Sequence, residues 1–355
     1  MHVERSIGIF RQKADGIAYQ PNRRRPSERK TRLPMKAFIQ ILCAVAFICL
    51  PQNAFTAEKT VIRLGHFPNI THVQALVAHN LSRQGKGWFE QRLGPEVEIQ
   101  WFIYNAGPSA MEAIFANSID MTYVGPSPAL NAYSKSRGEE IRIVSGAANG
   151  GAALVIQPDS PIKTGADFRG KKIATPQLGN TQDVACRSWL SGQGLKITQL
   201  GGDAQVLPVA NPDQLALFQQ KQIDAAWTVE PWVSRLELEA GGRVFYEDNS
   251  ITTVLVSSAK FLNGNRDLVA RIVKAHRELT EWIKSNPEEA MKLARAELGE
   301  EMKKEASEKL IAQACKRIFL SNEVKQSDFE VFVSKAQKAG FMKDAPNLSR
   351  LVEMP

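Results

Sequence analysis

The chain has 355 residues, of which 43% are hydrophobic and 23% charged, which excludes wholesale disorder, collagen-like repeats and coiled coils. Its formal net charge of +8 is concentrated in residues 1–57, which carry ten basic and three acidic residues. The remaining 298 residues carry 35 basic and 34 acidic residues, so the body presents no cationic face for a nucleic acid. The length is typical of about two domains.

Residues 1–57 are predicted to be a leader that contains a signal peptide. The fourteen residues from Ala37 to Leu50 include one polar residue, which suits a signal-peptide core and is short for a bilayer span. Basic residues precede this segment and small residues follow it, so we expect Sec-type export to the periplasm. Met35 is an alternative start site, and a retained membrane anchor or a buried apolar helix is the alternative interpretation of the segment.

The cysteines and histidines do not indicate a metal or redox centre. Beyond the leader, Cys186 and Cys315 fall in predicted helices, where buried free thiols are expected and a disulfide is the alternative. No CxxC or HExxH motif is present, and His66, His72 and His79 are spread over a strand, a turn and a helix. We therefore predict no metal site and no cofactor.

Short apolar runs alternate with helical segments from residue 60 onward, which is typical of an α/β fold with parallel sheets. In the first series the predicted strands are 61–67, 97–104 and 119–125, and the predicted helices are 71–83, 108–116 and 128–134. The second series has strands at 171–176, 204–210 and 223–229 and helices that begin near 181 and 212. A strand at 252–258 is followed by predicted helices at 267–285, 287–298, 303–320 and 328–338.

The second series repeats the first at offsets of 111 and 104 residues. Identical residues coincide at Ile62 and Ile173, Asn69 and Asn180, Pro108 and Pro212, and Asp120 and Asp224. We therefore predict two lobes built to one plan. Residues 58–157 begin lobe 1, residues 158–247 form lobe 2, and residues 248–355 complete lobe 1 with a return strand and C-terminal helices. The crossings between lobes are expected near 157–161 and 247–251, and both aspartates are expected to be structural.

Four segments together resemble the periplasmic substrate-binding proteins of ABC importers for nitrate, taurine and alkanesulfonates. These segments are GHFPNITHVQAL, FANSIDMTYVGPSPAL, DFRGKKIATPQLGNTQD and QIDAAWTVEPW. The resemblance covers nearly all of residues 60–260 and implies a type II-like fold with a hinged cleft between its lobes. It also implies a non-catalytic protein that delivers a small anionic or zwitterionic solute to an inner-membrane permease with its ATPase subunit. We expect a monomer, with no nucleic-acid partner.

Turns rich in small and polar residues follow the predicted strands. Ligands of parallel α/β sheets bind beyond the carboxyl ends of the strands, where helix N-termini present unpaired N–H groups. Such turns can hold an oxyanion without lysine or arginine. The predicted ligand-binding residues are Asn69, Thr71, His72, Gly107, Ser109, Gly125, Ser127, Asn180, Thr181, Gln182, Glu230 and Trp232.

Several of these residues also have a structural interpretation. Glu230 directly follows a strand, so it either caps the next helix or faces the ammonium group of a zwitterion such as taurine. Ser127 and Thr181 are also potential helix caps, and Asn69 and Asn180 are potential turn residues.

The predicted function is periplasmic capture of a small oxyanion, such as taurine or an alkanesulfonate, for transport and sulfur metabolism, with nitrate-like anions as related ligands. One alternative is a thiamine-precursor or other aromatic ligand that stacks on Trp232, Tyr104, Tyr123 or Phe67. A second alternative is an enzyme that resembles a pyrimidine-precursor synthase on the same scaffold. A third is a sensor or partner-docking subunit that uses the fold without transport.

Overall fold

A computed structural model describes residues 59–355, and the predicted leader lies outside the described residues. The strands are β1 (Thr60–His66), β2 (Val97–Ile103), β3 (Met121–Val124), β4 (Ile141–Gly150), β5 (Ala152–Ile156), β6 (Lys172–Thr175), β7 (Ile197–Thr198), β8 (Gly201–Gly202), β9 (Gln205–Pro208), β10 (Ala225–Val229), β11 (Arg243–Asp248), β12 (Ile251–Ser258) and β13 (Ile318–Leu320).

Twelve α-helices accompany these strands in the described part of the chain. They are α1 (Val73–Arg83), α2 (Trp88–Leu93), α3 (Gly107–Phe115), α4 (Pro126–Lys135), α5 (Thr181–Gly192), α6 (Asn211–Gln219), α7 (Trp232–Ala240), α8 (Ala259–Gly264), α9 (Arg266–Ser285), α10 (Pro287–Met302), α11 (Glu308–Cys315) and α12 (Glu330–Lys338). Short 3₁₀ turns lie at Ile70–His72, Gly165–Phe168 and Gln326–Phe329. None of the described helices combines the length and apolar character needed to cross a bilayer.

The strands form two principal sheets that share one plan. The six-stranded sheet has the order β13-β4-β12-β3-β1-β2, and the five-stranded sheet has the order β11-β5-β10-β6-β9. Each sheet contains three parallel strands from one βαβαβ series. The first strand of the series lies between the third and the second, so β1 lies between β3 and β2, and β6 lies between β10 and β9. The predicted α/β architecture with two sheets is confirmed.

The sheets are mixed rather than mainly parallel. Strand β5 runs antiparallel to β10, and β12 runs antiparallel to β3 and β4. Both strands enter from the other sheet through a short connection.

The chain passes between the sheets twice. The first passage lies at Gly150 and Gly151, whose φ angles of 70° and 71° favour glycine. It therefore precedes the predicted position at 157–161, because residues 152–156 already pair with β10 in the five-stranded sheet. The second passage connects β11 to β12 and lies within the predicted segment 247–251.

Apolar residues cover both faces of each sheet. Helices pack on both faces, so each sheet is the middle one of three layers. One face of the six-stranded sheet packs Ile62 and Leu64 against helices α1, α9, α10 and α11. Its opposite face packs against α3, α4 and α12. The five-stranded sheet carries α5 on one face and α6 and α7 on the other. The C-terminal helices thus cover the first sheet.

Asp120 and Asp224 have the same structural role in the two sheets. Asp120 Oδ2 accepts a hydrogen bond from the backbone N–H of Arg63 at 2.9 Å, and Asp224 Oδ2 accepts one from Lys172 at 2.9 Å. Each carboxylate therefore holds the start of a third strand against the first strand of its series. Asp120 also forms an ion pair with the Arg63 guanidinium at 2.6 Å.

The C-terminal part departs from the predicted elements. The predicted helix 303–320 is divided into α11 and strand β13, which adds to β4 at the edge of the six-stranded sheet. The sequence IFL in β13 is apolar without a clear period, and such short runs do not distinguish a helix from a strand. Cys186 and Cys315 are both free thiols.

His276 connects helix α9 to the six-stranded sheet from a fully buried position. Its Nε2 lies 2.9 Å from the Gly146 carbonyl oxygen, and its Nδ1 lies 2.9 Å from the Tyr123 hydroxyl. The ring thus donates to the carbonyl and accepts from the hydroxyl as a neutral imidazole. Burial lowers the pKa of His276 from 6.5 to about 4.

We predict that His276 makes the fold acid-sensitive. Between about pH 6.5 and 4 the unfolded chain binds a proton at this ring that the folded chain does not, so acidification lowers the free energy of unfolding. The full contribution is present above pH 6.5. The expected slope is about 1.4 kcal/mol for each pH unit, and His276→Asn removes it. Urea unfolding of both proteins from pH 7 to 4.5 measures the two slopes, and equal slopes would contradict the prediction.

Candidate functional site

A pocket lies where the carboxyl ends of the strands of both sheets face each other. We call it the inner pocket. It is lined by Phe67, Asn69, Thr71, His72, Asn105, Ala106, Gly107, Gly125, Pro128, Pro176, Asn180, Thr181, Gln182, Asn211, Val229 and Thr252.

Five helix starts meet at the inner pocket, and both sheets contribute to them. The 3₁₀ turn that leads into α1 and the starts of α3 and α4 come from the first sheet, and the starts of α5 and α6 come from the second. Helix N-termini carry partial positive charge and unpaired N–H groups. The arrangement therefore suits an anion held between the two sheets.

Eight of the twelve predicted ligand-binding residues line the inner pocket. They are Asn69, Thr71, His72, Gly107, Gly125, Asn180, Thr181 and Gln182. Asn180 also caps α5, because its Oδ1 accepts from the Asp183 N–H at 2.8 Å. Asn180 therefore both caps α5 and lines the inner pocket.

Ser109 and Ser127 lie beside the inner pocket, at contacts between the two sheets. The Gln177 side-chain amide donates to Ser109 Oγ at 3.1 Å. The Ser127 N–H donates to Thr181 Oγ1 at 3.3 Å, while Ser127 Oγ is buried without a partner. These contacts join the two sheets beside the inner pocket.

The inner pocket has no charged side chain among its described lining residues. His72 accepts a hydrogen bond from the Phe67 N–H at its Nδ1, at 3.3 Å. Burial, together with the neighbouring His66, holds the pKa of His72 well below its usual value of 6.5. The ring is therefore neutral at physiological pH, and any anion in this pocket is bound by dipoles and N–H groups.

A second cavity adjoins the inner pocket, and we call it the outer chamber. It has a volume of about 460 Å³, compared with about 20 Å³ of free space in the inner pocket. Both cavities share Asn69, Asn105 and Asn211. The outer chamber adds Pro68, Pro212, Leu215, Trp232, Arg235, Glu301, Met302 and Lys304. The predicted site residue Trp232 thus lies in the outer chamber rather than in the inner pocket.

For Glu230, the structure supports the helix-capping interpretation rather than a carboxylate that faces a ligand ammonium. Its carboxylate is fully buried and accepts from the N–H and hydroxyl of Ser234, at 3.0 and 2.9 Å. Arg317 Nη1 donates to Oε1 at 2.9 Å, so the charge of Glu230 is already paired. Burial raises the pKa of Glu230, and these hydrogen bonds oppose that rise.

The backbone of Glu230 connects the passage between the sheets to the pocket. Its N–H donates to the Gly151 carbonyl at 2.7 Å, and its carbonyl accepts from the Ile70 N–H at 2.9 Å. Arg317, which reaches Glu230 from the segment before β13, also pairs with Glu237 and Glu247. Glu230 therefore fixes the relative position of the two sheets.

Four polar residues that line the two cavities were not predicted from the sequence, namely Asn105, Asn211, Thr252 and Arg235. Asn211 lies 104 residues after Gly107, so the internal repeat could have identified it. The start of α6 lines the inner pocket through Asn211, whereas Glu230 and Trp232 do not line it. Arg235 lies one helical turn after Trp232, and its guanidinium carbon is 5.0 Å from the centroid of the indole ring.

Two histidines that looked separate in sequence lie together. His66 Nε2 and His79 Nδ1 are 3.0 Å apart, and Glu301 Oε1 is 3.1 Å from the first and 3.3 Å from the second. Glu301 belongs to the last turn of α10, far from both histidines in the chain, so their spacing gave no indication of this cluster.

Comparison with known proteins gives consistent results. Residues 56–298 match the model of the NMT1-like family. A Bacillus subtilis protein that is named as a candidate aliphatic sulfonates-binding protein is 24% identical over 274 residues, which cover 73% of this chain and 77% of that protein.

Two crystal structures share the fold. The alkanesulfonate-binding protein SsuA from Xanthomonas axonopodis pv. citri, bound to MOPS, has a TM-score of 0.64 and 19% identity, and the match covers 79% of this chain and 92% of that one. The periplasmic aliphatic sulphonate-binding protein SsuA from Escherichia coli has a TM-score of 0.62 and 23% identity, with 78% and 90% covered. These similar proteins are sulfonate-binding proteins by name, and the two structures show that this chain shares their fold.

We predict that Glu230 contributes to stability and that its neighbour Glu247 does not. Both carboxylates contact Arg317 at 2.9 Å, but Glu230 is fully buried and the Glu247 side chain is 46% exposed. Breaking the buried pair in Glu230→Gln is expected to lower the free energy of unfolding by about 3 kcal/mol. The matched variant Glu247→Gln is expected to lower it by less than about 1 kcal/mol. Urea unfolding measures both losses, and two equally small losses would contradict the assignment.

Proposed function

The chain belongs to the NMT1-like family, and from that premise we propose that it is the extracytoplasmic solute-binding component of an ABC importer. It captures a small organic anion by closing its two sheets, with their helices, over it. In this proposal each sheet with its helices forms one lobe. The inner pocket has polar groups from both lobes, and the proposed role is binding of the solute without chemistry.

One observation carries the proposal: five helix starts from two sheets converge on a pocket without charged side chains. Hydrogen bonds to a charged group contribute about 1.5–3 kcal/mol each. Three or four such bonds reach the roughly −8 kcal/mol of a micromolar complex, before the costs of association. Since both sheets supply donors, the closed form binds the anion better than the open form and is favoured by it.

The outer chamber supports an organic sulfonate as the ligand class. A sulfonate headgroup in the inner pocket leaves its tail to extend into the chamber, where Leu215, Trp232 and Met302 provide apolar surface. Nitrate has no tail and would leave this chamber unused. Because Glu230 is paired with Arg317, we propose alkanesulfonates without an amino group ahead of taurine. The similar proteins named above support the same class.

Partners and location follow from the proposed role. We propose that the protein acts in the periplasm after removal of the leader, and that it delivers its ligand to an inner-membrane permease driven by an ATPase subunit. Cell fractionation of the tagged full-length chain tests the location. The protein should be recovered in the periplasmic fraction, and retention in the cytosol would contradict the proposal.

We predict that a sulfonate raises the melting temperature of the purified protein. At a concentration 100 times the Kd the expected gain in unfolding free energy is about 2.7 kcal/mol. Butanesulfonate should give the largest shift, taurine a smaller one and nitrate the smallest, with the sulfonate recovered intact. A thermal-shift panel that includes thiamine precursors measures the order. A shift with an aromatic precursor and none with any anion would show that the ligand class is wrong.

We also predict that Gly125→Ala weakens ligand binding. A Cβ on Gly125 would lie 2.3 Å from Thr181 Oγ1, so the methyl group holds the two sheets apart at the inner pocket. Affinity for butanesulfonate is expected to fall about tenfold or more, with little change in unfolding free energy. The matched control Gly192→Ala lies on the same helix as Thr181 and has no atom within 4 Å of the added Cβ. Calorimetric titration compares the two, and unchanged affinity in Gly125→Ala would contradict closure at this contact.

A further inference from the structure

We propose that His66, His79 and Glu301 bind one divalent transition-metal ion with the coordination preferences of Zn²⁺. The three side chains come from β1, α1 and the last turn of α10, and their ligand atoms lie within 4.8 Å of one another. Glu301 also lines the outer chamber, and both histidines lie behind it. This site is separate from the inner pocket and does not depend on the proposed ligand.

The distances fit a tetrahedral metal centre. The three ligand atoms are separated by 3.0, 3.1 and 3.3 Å. For Zn²⁺ bound at 2.0–2.1 Å, the edge of the coordination tetrahedron is about 3.3 Å. The side chains therefore need only small adjustments to receive an ion at their centre.

Hydrogen bonding alone leaves an unfavourable close contact and an unpartnered oxygen in this cluster. His66 Nε2, His79 Nδ1 and Glu301 Oε1 lie within 3.3 Å of one another, but each ring nitrogen carries either one N–H or one lone pair. If both nitrogens donate, His66 to Glu301 and His79 to Glu297, the two N–H groups lie against each other with their nitrogens 3.0 Å apart. If one nitrogen accepts, its lone pair faces a carboxylate. Glu301 Oε2 is also buried without a partner. A cation between the three atoms uses all three lone pairs at once.

The surroundings orient the ligands. His66 Nδ1 lies 3.3 Å from the Phe67 carbonyl, so an N–H at that position leaves Nε2 free to bind a metal. His79 Nδ1 also lies 2.9 Å from Glu297 Oε1, and Arg83 Nε donates to the same oxygen at 2.8 Å. Trp101 stacks on the His79 ring at a centroid distance of 5.0 Å and shields the cluster.

The donor set and the entry path favour a Zn²⁺-type ion. Two imidazoles and one carboxylate suit borderline-soft divalent metals rather than Ca²⁺ or Mg²⁺. Glu301 lines the outer chamber, which provides a route for the ion and an open coordination position for water or for Glu297. The expectation from sequence that the histidines form no metal site is revised because Glu301, the third ligand, comes from the distant α10.

Calorimetric titration of the metal-stripped, untagged protein with Zn²⁺ tests the proposal. We expect one ion per chain and a higher melting temperature that EDTA reverses. Glu301→Gln and His66→Asn should weaken binding about tenfold or more. The matched control Glu300→Gln, whose side chain is 63% exposed, should bind as the wild type does. Absence of stoichiometric binding in the wild type, or unchanged affinity in Glu301→Gln, would overturn the assignment.

X-ray absorption of the zinc-loaded wild type decides the case even if the variants do not fold. Two imidazole ligands and one carboxylate are expected at the bound ion. A spectrum with fewer than two imidazoles would show an ion at the surface and would refute the site.

Discussion

The backbone N–H groups at the start of a helix have no partner within that helix, and this constraint shapes the centre of the molecule. Five such starts point at one small space, and the chain fills it with neutral polar groups such as Asn69, Thr181 and Asn211. The neutral His72 adds no positive charge. The positive potential of the inner pocket therefore comes from the fold itself and not from cationic side chains.

The charged groups lie outside this pocket and serve other purposes. Glu230 immediately follows a strand of the second sheet, yet its carboxylate turns away to Arg317 while its backbone bridges Gly151 and Ile70. A carboxylate aimed at the pocket would repel an anion, whereas in its observed position it fixes the passage between the sheets. Its observed role is thus mechanical, and in the proposed function the outer chamber provides the contacts that distinguish one ligand tail from another.

Local sequence patterns predicted the structural features that depend on residues close together in the chain. The two βαβαβ series, most strand positions and eight pocket residues follow from apolar periodicity and from the turns that precede helices such as α5. The internal repeat also anticipated the matching roles of Asp120 and Asp224. The partner of Glu230 could not be predicted, since Arg317 lies 87 residues further along the chain. The pairing of His79 with Glu301 spans 222 residues and depends on how α10 packs on α1. Strand β13 forms by pairing with the free edge of β4, and no local sequence pattern indicates this long-range contact.

A crystal structure of the protein with bound butanesulfonate tests the central claim most directly. The account predicts sulfonate oxygens within about 3.2 Å of N–H groups at helix starts from both sheets, and a tail in the outer chamber. A sulfonate held only by Arg235 and Lys304 in the outer chamber, with no contact to those helix starts, would contradict it.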